Sequence, residues 1–291
     1  MYICVCVKQT PDSSSVYVDP ITGQVDYERF VQVLNPADAC AVEAAVRLRE
    51  QVSGTIKVLT LGPKDAEGAL RAALAIGADS ALRLWNIHAE AWGPFAVAAA
   101  LAGYLQSATP SPDLVLCGDS SSDWSSGIVG PALAQQLDLP QVTSVAQLKL
   151  LEEHDPITLQ LTRKLERGYR ELLEAELPLI ITVTGGLNEP RYPSLPAHLA
   201  ALKAEIPVLD PHPLMDDIWL DAADEMTLLE IHTPRPRPRH ISAPDSRHSA
   251  YQRIGEIVAG GATGRKTQLV KGSPEELAKV LVEFLRNKEF I

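Results

Sequence analysis

The feature that most constrains this chain is a series of short, wholly apolar segments set between stretches of helical periodicity. Asp113-Leu-Val-Leu-Cys-Gly118 is the clearest of them. A continuous apolar run closed by turn residues is what a strand buried on both faces requires. Ile3 to Val7, Ile56 to Leu61, Ala81 to Trp85 and Leu177 to Val183 read in the same way. Between them lie helical patterns. Asn35 is a good N-cap, and Pro36 at the first helical position loses no needed hydrogen bond. Ala41, Ala44, Ala45 and Leu48 then recur at helical spacing. Further helices are expected from Asp65 to Ile76, closed by Gly77, from Ala91 to Leu105, and from about Gly127 to Leu137. Strands alternating with helices predict an α/β fold with a mostly parallel sheet and helices on both faces. Ligands of such sheets sit beyond the carboxyl ends of the strands.

Other segments depart from this alternation. Val16 to Val18 and Gln24 to Tyr27 flank a turn and suggest a small hairpin. Ser144 to Leu151 and Ile157 to Leu165 read as strands around a turn, and His198 to Ala204 as a short helix. The pattern weakens from Val208 onward. Thr233 to His240 alternates proline with arginine, which favours an extended backbone. It reads equally as an arm over another subunit or as a solvated linker. Ser273, Pro274 and Glu276 form a capping box at the start of a last helix. Its apolar face, Leu277, Val280, Leu281, Phe284 and Leu285, needs a core or a partner to cover it.

With 46% hydrophobic residues in 291, the chain can bury a large core. A net charge of −11 argues against nucleic acid and fits either a basic partner surface or plain solubility. No run approaches the ~20 apolar residues of a membrane helix. Met1 to Lys8 is too short for a signal peptide, so it is expected to be a first buried strand of a cytoplasmic protein. Cys4 and Cys6 alternate on one strand face, and no C-x-x-C pair occurs with Cys40 or Cys117. Buried free thiols are therefore expected, without a zinc site.

No G-x-S-x-G, H-E-x-x-H or P-loop motif is present. Gly260 to Gly264 reads as a loop. The more specific stretch runs from Gly118 to Pro131, rich in serine and glycine, between the best strand and a helix. Backbone N–H groups and hydroxyls at a helix start are what an anion needs. Asn35 to Asp38 opens another helix at the same rim. Two helix starts meeting at one crevice would fit an adenine nucleotide, although a Ser-rich loop with a plain helix cap fits the residues as well.

Four stretches together resemble the electron-transfer flavoprotein β subunit. They are Val5 to Lys8; Asn35-Pro36 with Ala45 to Leu48; Asp113 to Gly118 with its loop and Gln135 to Pro140; and Leu177-Pro178 leading to Leu187-Asn-Glu-Pro-Arg-Tyr-Pro-Ser-Leu-Pro196. The last is close to diagnostic, and the likeness covers residues 1 to about 210.

The resemblance implies a Rossmann-like domain over 1–207, and over 208–291 an extended C-terminal arm with a terminal helix contacting an α subunit. FAD would be shared with that α subunit. AMP or a second FAD would lie in this chain. The implied nucleotide contacts are Cys6, Asn35, Pro36, Ala37, Asp38 and Leu61, then Asp123, Trp124, Ser125, Ser126, Gly127, Ile128, Val129, Gly130, Pro131, Ala132, Leu133 and Ala134. Val129 to Pro131 is similar to the bifurcating type, whose nucleotide is FAD, whereas Ser126 and Ile128 stand where that type has threonine and glutamine. Arg163 falls at an arginine near the flavin. Leu187, Asn188, Glu189, Pro190, Arg191 and Tyr192 correspond to a partner-binding loop with Leu187 as its anchor. Read from the residues alone, Leu187 fits an inward-packing role too. The implied activity is electron transfer from an acyl-CoA-type or other flavin dehydrogenase to a membrane-bound or soluble acceptor. A bifurcating flavoprotein oxidising NADH and a nucleotide-binding sensor are the alternatives.

Overall fold

A computed structural model of the chain describes residues 1–17, 19, 30–151, 156–215, 247–258 and 272–287. The strands are β1 Tyr2–Cys6, β2 Gln9–Pro11, β3 Gln32–Leu34, β4 Thr55–Leu61, β5 Ser80–Leu84, β6 Leu114–Gly118, β7 Gln141–Leu151, β8 Thr158–Lys164, β9 Arg170–Glu176, β10 Leu179–Val183 and β11 Val208–Leu209. The helices are α1 Pro36–Gln51, α2 Glu67–Ile76, α3 Pro94–Ser107, α4 Val129–Leu137, α5 Leu195–Lys203, α6 Ala250–Val258 and α7 Pro274–Asn287. The chain forms two compact units, Met1–Pro234 and Arg235–Ile291.

The first unit is built on one nine-stranded sheet in the order β11-β5-β4-β1-β6-β10-β7-β8-β9. Strands from β11 to β7 run parallel, and β8 and β9 are added antiparallel at one edge. The central parallel strands β1, β6 and β10 are buried on both sides, which is why they read as unbroken apolar runs. In β1, Ile3 and Val5 face one layer with Val42, Ala45 and Leu48 of α1 and Leu70 of α2. Cys4 and Cys6 face the other, with Leu101 and Leu105 of α3 and Leu133 of α4. Each such fully buried leucine contributes on the order of 1.5–3 kcal/mol. All four cysteines are free and buried, as expected of β1, α1 and β6 interior positions.

The expected α/β architecture is present, with differences of detail. α4 begins at Val129 rather than Gly127. β9, Arg-Glu-Leu-Leu-Glu-Ala-Glu, was not anticipated, because its charges mask the period of two that an edge strand can tolerate. β2 and β3 pair antiparallel, Gln9 opposite Leu34, and flank the segment that holds the expected hairpin. Most of that hairpin, and the Pro-Arg and Gly260–Gly264 segments, lie outside the described residues. Residues 208 and 209 form β11 and pair with β5 in the first unit's sheet.

In the second unit the capping box on α7 forms: Ser273 N donates to Glu276 Oε2 at 2.8 Å, and Glu276 N donates to Ser273 Oγ at 3.4 Å. Leu277, Val280, Leu281 and Phe284 lie exposed along that helix. No helix among the described residues is long and apolar enough to cross a membrane.

Candidate functional site

The chain leaves β1 for α1 and β4 on one side, then returns through α3 to β6 on the other side of β1. The carboxyl ends of β1 and β6 are therefore a topological switch point, where the connections diverge and leave a crevice. A cleft of about 440 Å³ opens there. Its floor is made by Cys6, Val7, Leu59 and Cys117, and its rim by Lys8, Leu61, Gly118, Asp119 and residues 126 to 130.

Two side chains at the start of α1 hold this rim together. Asn35 was expected to cap α1. Instead its side chain reaches across to the loop after β6, Nδ2 donating to Ser120 O at 3.0 Å and Oδ1 accepting from Ser122 N at 3.1 Å. Asp38 accepts from Lys8 N at 2.7 Å and from Gly118 N at 2.8 Å, which ties the splayed ends of β1 and β6 to the helix. Burial pushes the Asp38 carboxyl up to about 7, against the pull of these two amides. Gly118 makes the close approach possible, since a Cβ there would run into Asp38 Oδ1 and come within 2.8 Å of Ala37 Cβ.

The loop from Asp119 to Ile128 is folded back on itself. Lys8 Nζ pairs with Asp123 at 2.6 Å. Burial raises the Asp123 carboxyl, but the bonds from Lys8 and Ser121 outweigh it and hold it below its usual range. Ser125 N donates to Ser121 O at 2.9 Å, and Gly127 takes a left-handed φ of 64°. Ile128 offers no side-chain acceptor to the first turn of α4. The first turn of α4 thus has no side-chain cap, and its residues Val129 and Gly130 line the cleft, where first-turn amides can serve an anion. Among charged lining residues, Lys8 faces Asp38, Glu90 and Asp119; burial raises the Asp119 carboxyl as well.

Of the nucleotide contacts expected from sequence, Cys6, Asn35, Asp38, Leu61, Trp124, Ser126, Gly127, Ile128, Val129 and Gly130 line this cleft. Ala132, Leu133 and Ala134 do not. They lie on the buried face of α4, packed in the layer with α3 and β6. Pro36, Ala37, Asp123, Ser125 and Pro131 are not among the residues that line it. Sequence reading missed Trp85, Glu90, Trp92 and Pro94, which close the cleft from the β5–α3 connection. That connection leaves the carboxyl end of β5, so extending the strand-end rule by one strand would have found it.

The segment 187–192 lies apart from the cleft, against α1. Leu187 is half-buried, with part of its side chain against the main core and part left accessible. Asn188, Glu189, Pro190 and Arg191 follow along α1, and Tyr192 is 97% exposed. Arg163 donates to Thr143 Oγ1 at 2.9 Å and pairs with Glu171 at 3.6 Å, while its buried Nε has no partner among the described residues.

A parallel sheet wound in both directions, with its crevice at the switch point, defines a Rossmann-like α/β protein. Residues 23–214 match the family model for the electron transfer flavoprotein domain. The chain is 35% identical over 272 residues to the electron transfer flavoprotein subunit beta of Thermoanaerobacterium thermosaccharolyticum, covering 93% of this chain and 97% of that one. It is 32% identical over 291 residues to the subunit of the same name from Bacillus subtilis, covering 99% and 98%. It is 37% identical over 209 residues to the caffeyl-CoA reductase-Etf complex subunit CarD of Acetobacterium woodii, covering 72% and 78%. The chain belongs to the electron transfer flavoprotein family, and within it to the β-subunit type.

Proposed function

We propose that this chain is the β half of a cytoplasmic heterodimer that carries electrons through FAD from an acyl-CoA-type or other flavin dehydrogenase to a downstream acceptor, membrane-bound or soluble. FAD, shared with the α subunit, would supply the redox chemistry, since a flavin accepts two electrons and can release them singly. This chain supplies binding and placement. The observation that carries the reading is the amide-rich start of α4 opening onto the switch-point cleft, in a chain of β-subunit type.

The cleft suits AMP. Val129 and Gly130 would donate backbone N–H groups to its phosphate, and Lys8 would offer a second donor by leaving Asp123. Leu61 and Val97 would cover the base from the apolar side. Asn35 and Asp38 are spent on protein amides and carbonyls, so their part is to hold the rim rather than to touch the ligand. Arg163, whose buried Nε has no partner among the described residues, fits a place facing the α-bound flavin. Segment 187–192 would dock the dehydrogenase, and the arm beyond 208 would embrace the α subunit.

A second reading is favoured by one observation. The cleft is lined beyond the α4 start by Trp85 and Trp92 of the β5–α3 connection, aromatic surface that a second ring system could use. In that case a second FAD would replace AMP, and the complex would oxidise NADH and divide its electrons. The test is the composition of the purified heterodimer. One FAD and one AMP per complex is expected. Two FAD without AMP would establish the second reading, and a stable colourless homodimer would refute both in favour of a nucleotide sensor.

A further inference from the structure

Glu43 lies one turn beyond the cleft on α1, and the nucleotide reading makes no use of it. Its side chain is only 2% exposed, yet it carries a charge. Burial alone would raise its carboxyl; hydrogen bonds from Arg191 and Arg47 overcome that and leave it lowered. The carboxylate accepts from Arg191 N at 3.1 Å, from Arg191 Nε at 2.8 Å and Nη2 at 3.2 Å, and from Arg47 Nε at 2.6 Å. The outer edge of the same guanidinium donates to Glu50 at 2.7 and 3.2 Å.

These contacts belong to a larger pattern. Asn188 Nδ2 donates to Cys40 O at 3.0 Å, and Arg47 Nη2 donates to Glu189 O at 3.1 Å. Cys40, Glu43, Arg47 and Glu50 are three or four residues apart, so they form one stripe on α1. The stripe grips Asn188, Glu189 and Arg191 in turn. A backbone bond from Leu187 N to Thr184 O at 3.0 Å marks the start of the segment, and α5 begins just beyond its end, with His198 N donating to Ser194 O at 2.9 Å. A planar guanidinium forked onto a desolvated carboxylate is directional, and lysine or glutamine cannot reproduce it. Truncating Arg191 would leave the buried Glu43 carboxylate with Arg47 as its one remaining cation, and neutralising Glu43 would leave Arg191 held by its outer edge on Glu50 alone.

We propose that Glu43 is a positioning residue for partner docking: it fixes the course of residues 187–192, so that Leu187 and the fully displayed Tyr192 meet a partner in a set geometry. The inference rests on reading that segment as the docking surface. A segment ordered in advance loses less freedom on association, so the effect falls on encounter with the partner.

The test uses the whole heterodimer, with a purified acyl-CoA dehydrogenase as electron donor. Glu43→Gln should raise the KM for the heterodimer by roughly tenfold, with kcat and flavin content unchanged. Amides 188–192 should exchange faster with deuterium, and Arg191→Lys, which keeps the charge but not the fork, should raise the KM as well. Leu187→Ala should also raise KM. If Leu187→Ala raises it and Glu43→Gln does not, the positioning role is overturned while the docking reading stands. If neither does, the docking reading itself has failed. Should Glu43→Gln yield no heterodimer, Glu50→Gln removes only the exposed outer arm. A KM about two- to fivefold higher is then expected, and an unchanged one overturns the proposal.

Discussion

Asp38 shows how a single buried group can set both geometry and pH response. Its carboxyl is raised from 3.8 to about 7 by burial, so the folded state favours the protonated form. Its contribution to stability is therefore complete below about pH 4 and is lost as pH rises to about 7. Asp38→Asn cannot ionise, and it turns an –NH₂ donor towards one of two backbone N–H groups. The variant should lose about 1–3 kcal/mol in urea denaturation. The gap between wild type and variant should widen as pH is lowered from 8 to 5. A gap independent of pH would mean that Asp38 does not titrate in this window. Asn35 teaches a related lesson. The local sequence makes it a helix cap, and the tertiary structure uses it as a clamp on a loop 85 residues away.

Single helices carry separate tasks. α1 holds the cleft with its first residues and the segment 187–192 with its next three turns, so its small apolar face is only half of what it does. That apolar face is legible from the spacing of Ala41, Ala45 and Leu48. The polar stripe is not, because its partners lie about 150 residues further on and nothing local marks them. α7 is the reverse case, an element whose cap is wholly local. Replacing Ser273 by Ala removes the acceptor for Glu276 N and should cost about 1 kcal/mol of local helix stability. Faster deuterium uptake in the first turn of α7, with amides of the nine-stranded sheet unaffected, is the expected result. Uniform loss of protection across the chain would count against a local cap.

For the molecule as a whole, the cleft makes nucleotide binding and folding one linked equilibrium. A ligand at one hundred times its Kd should stabilise the folded chain by about 2.7 kcal/mol. Thermal denaturation of the purified heterodimer with added AMP, and separately with FAD, should show a rise of several degrees for the ligand that belongs in the cleft. No shift with either would remove the nucleotide from the proposed function. The trend should survive moderate salt, because the donors are mostly backbone amides inside a cleft and such groups are screened less than surface charges.

The alternation of apolar runs and helical periods was enough to specify a parallel sheet with helices on both faces. Such runs need no partner to be recognised: burying a segment on two sides demands apolar residues at every position. The loop from Gly118 to Pro131 and the two helix starts were equally visible, because turn and cap chemistry is local. The strand order, and with it the crevice between β1 and β6, came only from the folded chain. So did the wall of Trp85 and Trp92 and the pairing of Glu43 with Arg191. These depend on contacts between residues far apart in sequence. Each end of such a contact satisfies ordinary surface or loop chemistry until the sheet brings the two together.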